Sequence, residues 1–330
     1  MKIVADSHIP YLDLPPDVQV VRLDTITAAD VRDADVLLVR TRTRCDAVLL
    51  AGSRVRFIGS ATIGTDHIDL NYCHSHGITV CNAPGCNAPA VAQWVLASIG
   101  HWMAARGIGH TASLTLGIVG VGHVGAIVAR WARQLGFTVV LNDPPRQATE
   151  GSDLFSSLDQ VLERSDIITF HTPLTRYGEW PTWHLCDDRF LEKASRCRLL
   201  LNAARGSVCH TQALLRYSGD LAIDCWEDEP HIHATLLDKA YIATPHIAGY
   251  SRQGKQRGTQ MIHDALNAHL GWHIAPIHID TPARGAEHVT LSGIMTSYNP
   301  LTDTATLKAD PAAFELLRNH YALRQEVQEL

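Results

Sequence analysis

Apolar positions cluster into short runs that alternate with turn residues over most of the chain. In the first hundred residues such runs cover positions 2–5, 18–23, 36–39, 57–59 and 77–81, each bounded on at least one side by Asp, Asn or Ser, and they predict five short strands. Residues 88–105 then make one long, weakly polar stretch of helical length. Residues 114–119 are apolar almost throughout rather than alternating, as in a strand buried on both faces of a parallel sheet. Directly after them Val124, Ile127, Val128, Trp131 and Leu135 take the i, i+3, i+4, i+7 spacing of a helix face, and Gly136 is placed to end that helix. Strands are predicted at 137–142, 166–170, 198–202, 221–224 and 241–243, with helical patterns such as 158–164 and 211–217 between them. Regular alternation of this kind predicts an α/β protein with a doubly wound parallel sheet. A polar helix is expected at 252–270. Beyond 279, Thr, Ser, Gly and Pro are frequent, and only Asp310-Pro311 followed by Phe314, Leu317 and Tyr321 gives a helix start and face.

Composition narrows the class. The 330 residues suit two or three domains, and 46% hydrophobic with 19% charged residues excludes disorder and small disulfide scaffolds. With 28 basic and 34 acidic residues the net charge is −6 and is spread along the chain, so no nucleic-acid or membrane partner is expected and a small molecule is. Cys45, Cys73, Cys81, Cys86, Cys186, Cys197, Cys209 and Cys225 stand singly and read as reduced thiols of a cytoplasmic protein. The N-terminal run meets Asp6 too early for a signal peptide. The 88–105 stretch approaches spanning length, but Pro89, Gln93, Ser98, Gly100 and His101 interrupt it, and it reads as a helix buried between domains.

Gly120-Val121-Gly122-His123-Val124-Gly125 is G-x-G-x-x-G between a buried strand and an amphipathic helix, the context that makes the pattern a dinucleotide site. Gly120 permits the tight turn, Gly122 lets backbone approach a pyrophosphate, and Gly125 lets helix and strand touch. Asp143 ends the next strand, where a carboxylate accepts from ribose hydroxyls and repels a 2′-phosphate, so NAD is the expected cofactor. An anion clamp and an acid/base group are then needed. Arg205 follows the 198–202 strand and suits a substrate carboxylate; Glu229 and His246 follow later strands and suit a carboxylate-oriented histidine. Taken singly, Arg205 reads equally as a surface cation, Glu229 as part of an acidic loop, and His246 as one of nineteen histidines.

Together with the run from Ala61 to Asp69, the glycine turn, His171-Thr172-Pro173-Leu174, Asn202 to Gly206, Asp224 to Pro230 and Pro245 to Gly249, these residues resemble the NAD-dependent D-2-hydroxyacid dehydrogenases over about residues 2–271. The resemblance implies a Rossmann-type cofactor domain inserted in a smaller flavodoxin-like α/β substrate domain, with a short C-terminal α+β unit. Residues 1–94 would begin the substrate domain, 95–246 form the NAD domain, 247–278 return with a hinge helix, and 279–330 form a shortened dimerisation-like unit. It further implies that Arg205, Glu229 and His246 are catalytic. Gly120, Gly122, His123, Val124, Gly125, Asp143, Thr172, Ala203, Ala204, Asp224 and Gly249 would lie at NAD. Arg40, Thr41, Thr62 and Tyr250 would lie at the substrate, and the chain would form a homodimer. Within the family, Ala83 to Ala88, Asp143 to Arg146, His246 to Tyr250, Gly254-Lys255 and Arg257-Gly258-Thr259 resemble the branch that oxidises 4-phospho-D-erythronate at C2 in pyridoxine biosynthesis.

A phosphorylated 2-hydroxy acid needs its own cation site. Arg40-Thr41-Arg42-Thr43-Arg44, directly after a strand, offers guanidiniums and hydroxyls in one loop, and Arg40 is expected at the 4-phosphate. No metal is expected, because the histidine pairs lack thiolates or carboxylates at ligand spacing. Two other readings use the same residues: a dehydrogenase of glycerate or phosphoglycerate, and an NAD(H)-sensing protein without turnover. The Arg40 loop and Tyr250 favour the phosphorylated substrate over the first. No peptide-docking or DNA-binding segment favours the second.

Overall fold

The computed structural model describes residues 1–151, 153–282 and 284–328. The chain divides into two compact units, Met1–Asn87 with Ser251–Ala283, and Ala88–Tyr250 with Arg284–Leu330.

In the first unit β1 (Lys2–Asp6), β2 (Gln19–Leu23), β3 (Val36–Val39), β4 (Phe57–Ser60) and β5 (Thr79–Cys81) form a parallel sheet in the order β2-β1-β3-β4-β5. This is the flavodoxin-like order, and its winding reverses between β1 and β3, where such sheets take ligands at the carboxyl ends of the strands. Successive side chains point to opposite faces. Ile3, Val36, Leu38 and Phe57 therefore meet Ile262 and Leu266 of the helix Arg252–Leu270 on one face. Val4, Leu37, Val39 and Ile58 meet Val31, Leu49, Leu50 and Ile68 on the other.

The second unit holds β6 (Thr115–Val119), β7 (Thr138–Asn142), β8 (Ile167–Phe170), β9 (Leu199–Asn202), β10 (Asp220–Ile223) and β11 (Ile242–Ala243). They run parallel in the order β11-β10-β9-β8-β6-β7. Winding reverses at β6, so the turn that leaves β6 opens on the crevice between two departing directions. The helix His123–Gln134 follows, laying Ile127, Val128 and Trp131 on the sheet, and Gly136 closes it at φ +88°. The eleven expected strands are all present, displaced by a residue or two at their ends.

The chain after residue 283 corrects two expectations. Its described residues form helices, Leu291–Ser297, Pro300–Ala309 and Phe314–Asn319, rather than an α+β unit. Nor does it stand as a third body: Ile294 and Tyr298 share a core with Trp94 and Trp131, and Leu307 and Phe314 share one with Ile223 and Leu237. Apolar surface this large finds cover only by joining an existing core. Thr290 and Asn299 cap the first two of these helices through side-chain oxygens, which fixes where short, weakly amphipathic segments start. The helix Ala88–Ala105 is buried inside this unit, and a Cβ on Gly100 would stand 2.7 Å from Met295 Sδ, so the tail lies directly on it. Among the described residues no helix is long and apolar enough to cross a membrane. All eight cysteines are free thiols.

Candidate active site

The glycine turn leaves β6 through Gly120, whose N–H donates to Asn142 O at 2.8 Å and whose φ of +88° favours glycine. A Cβ on Gly125 would lie 2.1 Å from Gly120 O, so helix and turn touch backbone to backbone. Gly122 differs: a Cβ there meets nothing within 4 Å, and the N–H groups of the helix's first turn, at His123 and Val124, have no carbonyl within the helix to donate to. Open space over a helix N-terminus is a cradle for a pyrophosphate. Asp143 borders it, accepting from Val121 N–H at 2.8 Å and Arg146 N–H at 3.1 Å, which leaves carboxylate lone pairs for further donors. Across the turn, on the chain that leaves β8, Thr172 Oγ1 is buried without a hydrogen-bond partner. Burial pushes the neighbouring His171 imidazole down to about 3, so it adds no charge at neutral pH. These residues fit a dinucleotide such as NAD.

Beyond β11 the chain turns sharply through His246, held at φ +55°, a conformation that costs a non-glycine residue about 1–2 kcal/mol. Asp224, at the end of β10, supplies the compensation. Its carboxylate is 1% exposed and accepts from Thr244 Oγ1 at 2.6 Å, Ile247 N–H at 2.8 Å and Ala248 N–H at 3.0 Å. Its backbone carbonyl accepts from His246 N–H at 2.9 Å. Trp94 and Trp226 donate their indole N–H groups to Thr244 Oγ1 and Thr244 O. Asp224, expected at NAD, thus also anchors the loop that carries His246, and burial raises its carboxyl above the usual range despite those donors.

His246 Nδ1 meets Glu229 Oε1 at 2.5 Å. Glu229 Oε2 accepts from Trp226 N–H at 3.2 Å. Burial alone would raise the Glu229 carboxyl, but the His246 charge and hydrogen bond, with Arg318, hold it below the ordinary value. Arg205 lies on the turn after β9, which Asn202 pins by donating to Arg205 O and Cys225 O and accepting from Ala204 N–H. Ala203 and Ala204 form that turn, and a Cβ on Gly206 would fall 1.9 Å from Trp226 O, so it rests against the loop that carries Glu229. The buried thiol of Cys225 registers the convergence. Desolvation, Asp224 and Glu229 push it far up, while Arg205 and Arg318 act against them. The second unit therefore gathers Arg205, Glu229 and His246 around one loop junction. Gly249 and Tyr250 continue from it, partly exposed.

Arg40, Thr41 and Thr62 belong to the first unit. Arg40 follows β3 at the reversal point of the sheet, with Nε 3.0 Å from the buried Asp6 at the end of β1. The side chain is 11% exposed, so the guanidinium is fixed in place and part of its charge is already balanced. Arg44, 84% exposed, pairs with Asp46. Thr62 Oγ1 lies 2.8 Å from Ser60 Oγ. Among the described residues no group of three or more His, Cys, Asp or Glu side chains could hold a metal ion.

Two arginines at the junction escaped the sequence reading. Arg324, 9% exposed, donates to the carbonyls of Ile247, Ala248, Tyr250 and Ala90 and lies over the Tyr298 ring at 4.2 Å. Arg318 lies 3.7 Å from Glu229 Oε1. Arg318 follows Leu317 and Arg324 follows Leu323, and their spacing carries no signal for either role.

Comparison with known proteins agrees with this geometry. Residues 87–248 match the model of the D-isomer specific 2-hydroxyacid dehydrogenase NAD binding domain. The chain is 43% identical to erythronate-4-phosphate dehydrogenase of Bacteroides fragilis, over 99% of this chain and 97% of that protein. It is 42% identical to the enzyme of that name from Marinobacter nauticus, over 100% and 94%. Among solved structures, D-lactate dehydrogenase from Aquifex aeolicus, complexed with NAD and lactic acid, superposes with a TM-score of 0.65 at 23% identity, over 82% of this chain and 95% of that one. A 3-phosphoglycerate dehydrogenase from Entamoeba histolytica, with bound NAD+, gives 0.65 at 23% over 81% and 94%. With the glycine cradle, the pinned histidine loop and these full-length similarities in hand, the chain belongs to the NAD-dependent D-2-hydroxyacid dehydrogenases, among the erythronate-4-phosphate dehydrogenases.

Proposed function

We propose that this protein oxidises 4-phospho-D-erythronate at C2 to (R)-3-hydroxy-2-oxo-4-phosphooxybutanoate, with NAD as oxidant, in the route to pyridoxal 5′-phosphate. The observation that carries the reading is the contact of His246 Nδ1 with Glu229 on a loop pinned by Asp224, at the carboxyl end of the parallel sheet whose β6 carries the glycine cradle. Nδ1 is engaged, so Nε2 is the nitrogen left to take the C2 hydroxyl proton. Glu229 fixes the ring and stabilises the imidazolium that results. Arg205 holds the substrate carboxylate and polarises the forming carbonyl. The cradle of Gly120, Gly122, His123, Val124 and Gly125, with Asp143, Thr172, Ala203, Ala204 and Gly249, would hold NAD. When bound, that cofactor accepts the C2 hydrogen as hydride. The O–H electron pair becomes the second C–O bond, and the proton on His246 leaves to water. Asp224, which also anchors the histidine loop, is assigned to NAD with the cradle residues. Arg40 is assigned to the 4-phosphate, with Thr41, Thr62 and Tyr250 as further substrate contacts. Eight free thiols support a reducing, cytoplasmic setting. The family resemblance alone supports a homodimer, which light scattering tests.

The deciding assay follows NADH formation from 4-phospho-D-erythronate, with D-erythronate and 3-phospho-D-glycerate in parallel and a 2-oxo acid added to some reactions to reoxidise bound NADH. Turnover specific to the 4-phosphate is expected, and Arg40→Ala should raise KM for it. Turnover of the other acids alone would move the substrate while keeping the chemistry. Tight NADH binding without turnover would replace the enzyme by a sensor.

A further inference from the structure

Arg205, Glu229 and His246 suffice for the chemistry, yet a second cation stands beside them. Arg318 comes from the helix Phe314–Asn319. Its side chain is 14% exposed, and its Nη1 lies 3.7 Å from Glu229 Oε1, the same oxygen that faces His246. The guanidinium also hydrogen-bonds Tyr250, Glu315 stands 3.8 Å from Nη1, and Nε is buried without a hydrogen-bond partner. Withdrawing a guanidinium this far from water is unfavourable, and an apolar residue would pack the helix with less penalty. Its placement therefore calls for a task that needs charge and several donors.

We propose that Arg318 is a positioning residue of the dehydrogenase reaction, holding the Glu229 carboxylate on His246 and tying that pair to Tyr250. The inference rests on the acid–base pair proposed above. Glu229 has one oxygen on Trp226 N–H and one on His246, and a carboxylate so held can still swing about its terminal torsion. A cation on the histidine-facing oxygen opposes that swing. Arg324 meanwhile fixes the Tyr250 carbonyl from the same stretch of chain, so the catalytic carboxylate and the phenol beside the substrate share one support. The C-terminal helices thereby serve the site of the unit in which they lie.

The test uses full-length enzyme and steady-state NADH formation, with cofactor binding followed separately by NADH fluorescence. Arg318→Met is expected to lower kcat about 10- to 100-fold with little change in NADH affinity. Arg318→Lys should restore part of the loss, and Leu316→Ala, on the exposed side of the same helix, should change nothing. In a Glu229→Gln background Arg318→Met should cost little more, because the carboxylate it acts on is gone. Equal fold losses in both backgrounds, or full kcat in Arg318→Met, would overturn the proposal. Loss of rate in Glu229→Gln and His246→Ala would then leave the acid–base reading standing. Full rate in those two variants would overturn that reading and this one together. If Arg318→Met does not fold, Arg318→Gln carries the same comparison under the same criteria.

Discussion

The second unit contains two histidine–glutamate pairs that local geometry barely separates. His246 meets Glu229, and His184 Nε2 meets Glu227, each at 2.5 Å. The two glutamates stand two positions apart on one loop, and both histidines are held at positive φ, +55° and +53°. What differs is everything else around each imidazole. His184 lies between the Trp183 ring at 3.8 Å and the His210 ring at 4.4 Å, with Arg176 over the far side of Trp183. Glu227 spends its second oxygen on Thr211 N–H. That pair is a closed stack in which both ring faces are covered. His246 instead has its backbone locked by Asp224 and its Nε2 left over, on a loop at the carboxyl ends of the same parallel strands that the glycine turn leaves. A short histidine–carboxylate contact is therefore common to both pairs, and the place of His246 at the strand ends is what favours it for the proposed acid–base role.

Several experiments would break or sharpen that contrast. The largest effect is expected from His246→Ala, a loss of about 10²- to 10⁴-fold in kcat, against a change within about threefold for His184→Ala in the same assay. Comparable losses would abolish the distinction. Asp224→Asn comes next, because one of the accepting oxygens becomes an amide donor facing backbone or hydroxyl donors. A stability loss of about 1–3 kcal/mol by denaturant titration, accompanied by lower kcat, is expected. Trp183→Ala should remove stacking from the closed pair alone, about 0.5–1.5 kcal/mol in stability with kcat unchanged. The smallest effect is a pH trend. Glu227 would be raised by burial, but Thr211 and His184 hold it below its ordinary value of 4.5. A carboxyl depressed on folding contributes stability that is complete above that value and is lost as pH falls through the folded one. The difference in Tm between wild type and Glu227→Gln should therefore narrow on acidification from pH 6, and a difference that widens would contradict the assignment.

Much of this was legible before any coordinates. Strands buried on both faces write themselves as unbroken apolar runs, so β6, β8 and β9 stand out, and the fingerprint glycines carry steric duties that no other residue fills. His246, Glu229 and Arg205 could be placed at strand ends, and the family resemblance supplied their association. Asp224 was legible as a residue of the cofactor side, whereas its hold on the histidine loop through Thr244, Ile247 and Ala248 was not, because those contacts depend on three dimensions. The helices Leu291–Ser297 and Pro300–Ala309 went unseen: rich in Ser and Thr, they owe their limits to single capping oxygens and their stability to the core they join. Arg318 and Arg324 were invisible for the same reason, since their partners lie far away in sequence.

The Arg324 contacts bear on how the protein is made. The Ile247 carbonyl receives its guanidinium donor from a residue 77 positions downstream, and Tyr250 from one 74 positions downstream. During synthesis the nucleotide-binding sheet is complete, and free to fold, long before that donor leaves the ribosome. A nascent chain can thus own Arg205, Glu229 and His246 and still lack the donor that holds the Ile247, Ala248 and Tyr250 carbonyls.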